Sequence, residues 1–141
     1  SFEEEINVVK ATTADFEPDP QVIMHSDEIQ YFQNLIRRIP VPDNVYNFAV
    51  TLVSKTRPGV DGSHNLADNY LTWGAGPRAS QYLIIGAKCH AAIHGKYSPD
   101  IADVQAVATT VLRHRIVRNY KAEAEGIRVE DIIGDLVKQT S

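Results

Sequence analysis

The segment Gly74-Ala75-Gly76-Pro77 fixes where one helix must begin, in the middle of the chain. Two glycines permit a tight turn. Pro77 suits the first helical position, where its missing N–H removes no hydrogen bond. The apolar run Leu83-Ile84-Ile85-Gly86-Ala87 that follows gives this helix a face to bury. Arg78 falls in the first turn, beside the free N–H groups and the positive dipole end that favour an anion. A guanidinium there turns a weak preference into a directed contact, because its planar fork matches phosphate oxygens. The turn predicts phosphate sensing at a helix start, with Arg78 as the contact and Pro77 and Ala79 beside it.

Helical periodicity runs through the rest of the chain. Ser1 and Glu4 have the spacing of a capping box, which predicts a helix to about Ala11. Asp15 to Gln21, with two prolines, reads as a linker. Ser26-Asp27-Glu28 predicts an acidic helix start, and Ile29, Phe32, Leu35, Ile36 and Ile39 follow on one face. Pro40 and Pro42 end that helix, and Asp43 is expected to cap the next, with Val45, Phe48, Ala49, Leu52 and Val53 as its inner face. Arg57 to Gly62 reads as a loop, and Tyr70 to Trp73 as a short strand. Gly95 is a natural stop for the Arg78 helix, just past His94. Ser98-Pro99-Asp100 opens a further helix holding Val104, Val107, Ala108, Val111 and Leu112. The basic run Arg113-His114-Arg115 is expected at its end, where it suits the negative dipole end. A last amphipathic helix uses Val129, Ile132, Ile133, Leu136 and Val137. Five to six helices with short connections and at most one short β-hairpin make an all-α helical bundle.

Composition narrows the class. The 141 residues suffice for one domain, and 43% hydrophobic with 23% charged residues are ordinary globular values. A formal charge of −4 argues against a nucleic-acid partner or an anionic membrane surface. No apolar run approaches the roughly 20 residues needed to span a bilayer, so membrane insertion is not expected. The single cysteine, Cys89, excludes an internal disulfide and fits a reducing, cytoplasmic setting. The acidic Glu3-Glu4-Glu5 run is unlike a signal peptide. A start inside a helix signal, with no initiator Met, is expected of a piece of a longer protein. None of the eight glycines opens a G-x-x-x-x-G-K-[ST] phosphate loop. A phosphate-facing arginine without that loop predicts that the loop lies on another domain.

The Gly74-Ala75-Gly76-Pro77-Arg78-Ala79-Ser80 turn resembles the sensor 2 motif of the MoxR family of AAA+ ATPases. Val111-Leu112-Arg113-His114-Arg115-Ile116 resembles the valine-leucine-arginine-histidine-arginine signature that closes the next helix in that family. Ser1 to Glu5 is similar to its linker helix, and Glu125-Gly126-Ile127 with Val129 to Ile133 to its last loop and helix. The resemblance implies a C-terminal helical lid of an AAA+ ATPase, with residues 1–21 as linker helix and connection and 22–141 as the lid. It implies a lid that closes over ATP and Mg bound mainly by an α/β core, with Arg78 reaching the γ-phosphate. No ATP binding is expected of the lid alone. The implied partners are the core of the same chain and neighbouring subunits of an often hexameric, chaperone-like ring. Proteins with von Willebrand factor A domains are implied as clients. Thr109-Thr110 departs from the family, where many relatives carry a helix proline.

Other readings stand beside these. Arg78 also fits a solvated first-turn arginine, or the docking point of a stand-alone helical adaptor for an acidic or phosphorylated partner. Arg113, His114 and Arg115 read as structural or as contacts to a neighbouring domain. His90 and His94 stand one turn apart beside Cys89, but no third ligand lies at sensible spacing, so no metal site is expected. Cys89 itself is expected to be buried and inert. Tyr82, Tyr97, Trp73 and Phe48 are expected in the core or at an interface.

Overall fold

The computed structural model describes residues 1–15 and 19–140. The chain divides into two compact units, Ser1–Tyr31 and Phe32 onward. In the first, helix α1 (Phe2–Thr13) starts with the reciprocal capping box of Ser1 and Glu4 and buries no residue. Of the linker expected over Asp15–Gln21, residues 16–18 lie outside the described residues. Helix α2 (Ser26–Arg38) crosses the division between units. Its start is fixed by the Glu28 carboxylate, which accepts the His25 backbone N–H at 2.8 Å.

The second unit is an all-α bundle. It comprises α3 (Asp43–Lys55), α4 (Asn65–Tyr70), strand β1 (Leu71–Trp73), α5 (Pro77–Ile93), α6 (Ile101–Leu112), strand β2 (Val117–Arg118), α7 (Tyr120–Ala124) and α8 (Val129–Lys138). All five residues expected on the inner face of α3 are buried. They meet Leu83, Ile84 and Ala87 of α5, Val104, Ala108 and Leu112 of α6, and Ile132, Ile133 and Leu136 of α8 in one core. Each set recurs at three- or four-residue intervals, the spacing that keeps one helical stripe inward. Gly86 lets α5 lie close on α6, where a Cβ would sit 3.2 Å from Val107 Cγ2. Lys55 Nζ donates to the Gln139 carbonyl at 2.9 Å and ties the ends of α3 and α8.

The strands pair antiparallel, with Leu71 opposite Arg118 and Trp73 opposite Val117. They are not a hairpin, because α5 and α6 lie between them in sequence. The pair instead clasps the start of α5 to the end of α6. Gly95 and Gly126, at φ +73° and +68°, end α5 and α7 in the left-handed conformation that glycine tolerates. In both, the next residue reaches back: Lys96 N–H to Ala91 and Ile127 N–H to Ala122, each at 2.9 Å.

Several expectations are corrected. The apolar face of α2 is not buried: Leu35 is 43% exposed, and only Ile36 and Ile39 are half-buried. Periodicity establishes that a face is apolar, not that something covers it. Pro42, not Asp43, is the N-cap of α3, and Asp43 is its first residue. Helix α6 stops at Leu112, so the basic run forms the turn beyond it instead of its last turn. Of the four aromatics expected in the core or at an interface, Phe48 is in the core, and the exposed Trp73 and Tyr97 and half-exposed Tyr82 leave only the interface alternative.

The packing predicts a contrast. Leu112→Ala should lower unfolding free energy by about 2–5 kcal/mol, because Leu112 is fully buried. Val50→Ala, on the exposed side of α3, should stay within about 0.5 kcal/mol. Chemical denaturation of the two variants checks this.

Candidate functional site

Helix α5 begins as the sequence requires. Gly76 is its N-cap with extended backbone and no side-chain acceptor, and Pro77 is its first residue. Ala79 is buried at 1% exposure and pins the first turn to the core, while Pro77 and Arg78 are exposed. Among the described residues no carboxylate or other group pairs with Arg78. The first turn of α5 contains no acidic residue, whereas the seven other helices among the described residues each carry at least one there. A cation beside the positive dipole end is unfavourable unless an anion joins it. The arrangement is therefore one that an anion would complete, through the Arg78 fork and first-turn N–H groups that no cap side chain occupies.

The turn before α5 is held from the side. Thr56, fully buried at the end of α3, donates its hydroxyl to the Val53 carbonyl at 2.6 Å and accepts the Ala75 N–H at 2.9 Å. Arg57 Nε donates to the Ala75 carbonyl at 2.9 Å. Gly74 lies so close to this corner that a Cβ would stand 2.3 Å from the Thr56 carbonyl oxygen. Glycine is required there by contact with backbone, not by its own dihedral angles. Sequence reasoning missed Thr56 and Arg57, which no local pattern connects to a turn so far along the chain.

The loop from Arg57 to Gly62 is folded back on α4. The Asp68 carboxylate accepts the Gly59 N–H at 2.7 Å and the Ser63 hydroxyl at 2.8 Å. The Gly59 N–H first, and Ser63 after it, hold that carboxyl below its ordinary range.

The second signature meets the helix that follows the first through a ring. The Arg115 guanidinium lies 4.7 Å from the centre of the Tyr82 ring on α5, a cation–π contact. Arg113 and His114 are exposed in the turn after α6. Arg113, Arg118 and Arg128 line one shallow depression with Glu130. Arg118 Nη1 donates to the Ile127 carbonyl and Arg128 pairs with Asp131, each at 2.7 Å.

The histidine pair belongs to the joint between α5 and α6. Asp100 and Asp103 form a capping box for α6. The buried Asp103 carboxylate also takes His90 Nδ1 at 2.7 Å and Lys96 Nζ at 3.1 Å. Burial pushes the Asp103 carboxyl up, but the Asp100 N–H, His90 and Lys96 outweigh it and hold it at about 2. The His94 ring lies 4.2 Å from that of His90, with Nδ1 on the His90 carbonyl at 2.7 Å. No three His, Cys, Asp or Glu side chains converge on a metal position among the described residues. Cys89 is half-buried on α5, not in the core as expected. No helix among the described residues is long and apolar enough to cross a membrane.

A profile of the AAA lid domain matches residues 63–136, from the loop before α4 to Leu136 of α8. Chaperone MoxR1 of Mycobacterium tuberculosis is 28% identical over 121 residues, which span 86% of this chain and 32% of that protein. The uncharacterized protein YeaC of Bacillus subtilis is 28% identical over 141 residues, 97% of this chain and 40% of its own length. A crystal structure of a candidate ATPase from Cytophaga hutchinsonii superposes with a TM-score of 0.76 at 27% identity, over 98% of this chain and 42% of that one. The chain belongs to the AAA lid domain family, as the helical lid of the MoxR type of AAA+ protein. It spans between about a third and two-fifths of the length of these relatives.

The Asp103 cluster predicts a pH effect with a definite sign. A carboxyl lowered from 3.8 to about 2 stabilises the fold above pH 3.8, and that contribution is lost as pH falls toward 2. Urea midpoints measured from pH 6 down to about pH 2 should show Asp103→Asn less stable than wild type at the upper end. The gap should narrow as the pH drops.

Proposed function

We propose that this lid closes over ATP bound to an α/β core of the same protein, with Arg78 sensing the γ-phosphate. The observation that carries this reading is the unpaired, exposed Arg78 in the first turn of α5, the helix whose first turn lacks an acid. ATP with Mg would supply the transferable phosphoryl group and most of its counter-charge. Arg78 offers a planar fork aimed from a fixed helix start, which stabilises charge developing on phosphate oxygens. Pro77 and the buried Ala79 hold that start in place. Because the contact exists only when lid and core approach, it couples the lid's position to the state of the nucleotide. The rest of the hydrolytic site would lie on the core, which would bring the phosphate loop that this sequence lacks, and Arg78 is the catalytic group from the lid that completes it.

The likeness to a protein named Chaperone MoxR1 supports a wider assignment to ATP-driven remodelling of other proteins. The family resemblance extends this to ring assemblies, often hexameric, working in the cytoplasm on clients with von Willebrand factor A domains. Exposed groups at one end of the bundle, Trp73 and Val117 on the strand pair and Arg113 after α6, are available for contacts with a core or a neighbouring subunit.

Replacing Arg78 by Ala in the full-length protein should lower ATP turnover about 100-fold or more, with helical content and melting temperature retained. Steady-state ATPase assays of both forms decide it. Equal turnover would overturn the sensing role and favour a helical adaptor that docks acidic or phosphorylated partners.

A further inference from the structure

The geometry points to Thr56 and Arg57 as positioning residues for Arg78, an inference that rests on the sensing role proposed above. Both backbone polar groups of Ala75, its N–H and its carbonyl, are taken by consecutive residues just past the end of α3. Its N–H goes to Thr56 Oγ1 and its carbonyl to Arg57 Nε, each at 2.9 Å. Thr56 is fully buried and its O–H is committed to the Val53 carbonyl, which leaves the oxygen lone pairs free to accept the Ala75 N–H. Gly74 seats against the Thr56 carbonyl too closely for any side chain. The turn thus meets α3 through two side-chain bonds and one backbone contact.

Arg78 stands three residues beyond Ala75, and the N-cap between them contributes no side-chain bond. The direction in which α5 begins, and with it the direction of the Arg78 side chain, is set where Thr56 and Arg57 grip Ala75. A displacement of about 1 Å in a group that must meet a phosphate is enough to cost a large part of its effect. Neither residue needs to touch nucleotide. Their role is exerted through Arg78, which separates it from a general contribution to folding.

The test uses the full-length protein and a double-mutant cycle. Thr56→Val keeps shape and removes the hydroxyl, and Arg57→Ala removes the second grip at a less buried site. Each should lower kcat about 10-fold with the KM for ATP altered less than about 3-fold. Thr56→Ser, which keeps the hydroxyl, should restore most of the activity. In an Arg78→Ala background neither change should lower turnover further, because the group being aimed is gone. Hydrogen exchange of the peptide covering residues 72–80, measured without nucleotide, should quicken in Thr56→Val and not in Thr56→Ser. Wild-type turnover and exchange in both Thr56→Val and Arg57→Ala would overturn the inference. So would equal losses with and without Arg78. If Thr56→Val fails to fold, the Arg57→Ala arm of the cycle decides alone. If Arg78→Ala itself keeps full turnover, the sensing role fails and the inference falls with it. Loss in Arg78→Ala with none in the Thr56 and Arg57 variants defeats the positioning role only.

Discussion

The seat of Gly74 on the Thr56 carbonyl is the contact on which the arrangement around Arg78 depends. It brings the end of α3 against the start of α5 at backbone distance, closer than any pair of side chains could. A buried hydroxyl and a guanidinium N–H complete the join by satisfying the backbone N–H and carbonyl of Ala75, which would otherwise be costly to leave unpaired. From this corner α5 runs inward along α6, and the narrow gap at Gly86 keeps the two helices close. The strand pair returns the end of α6 to the same neighbourhood. Helix packing, one tight turn and a two-residue strand thus converge on the place where Arg78 leaves the surface.

The helices that build the core were legible because burial follows their period. Val45, Phe48, Ala49, Leu52 and Val53 on α3, and Ile132, Ile133 and Leu136 on α8, lie inward as their spacing requires. The same logic misjudged α2, whose equally regular face stays largely open. Helices α4 and α7 escaped because six and five residues are too few to display a period. One begins on His64 Nδ1 and the other on Asn119 Oδ1, and only the asparagine is a familiar capping residue. The strand pair joins segments on either side of two helices, so no hairpin signal announced the pairing.

The site divides in the same way. The helix start that carries Arg78 and the stop at Gly95 were readable, because proline and glycine act on local backbone alone. Thr56 and Arg57 were not, since a hydrogen bond between distant segments leaves no mark in spacing. Asp103 illustrates the intermediate case. Asp100 was legible as part of a helix start, but the second carboxylate gathers His90 and Lys96 only once α5 and α6 lie side by side. What read as a histidine pair with metal spacing is thereby a fastening within the α5–α6 joint. Arg115 similarly serves the packing of the second signature on α5 through Tyr82.

The bare first turn of α5 also has a thermodynamic side. The other helices complement their dipoles with acids and are locally at rest. Among the described residues, helix α5 is the one that starts with a cation and no acid beside it, a small frustration kept in an otherwise consistent fold. Left by itself, the lid would be more comfortable with alanine at position 78 than with arginine. On the sensing role proposed for Arg78, an arriving anion would gain twice, once from the contacts it makes and once from the repulsion it offsets, and its departure would restore the tension. On that proposal, affinity at this corner would be built into the lid before any anion reaches it.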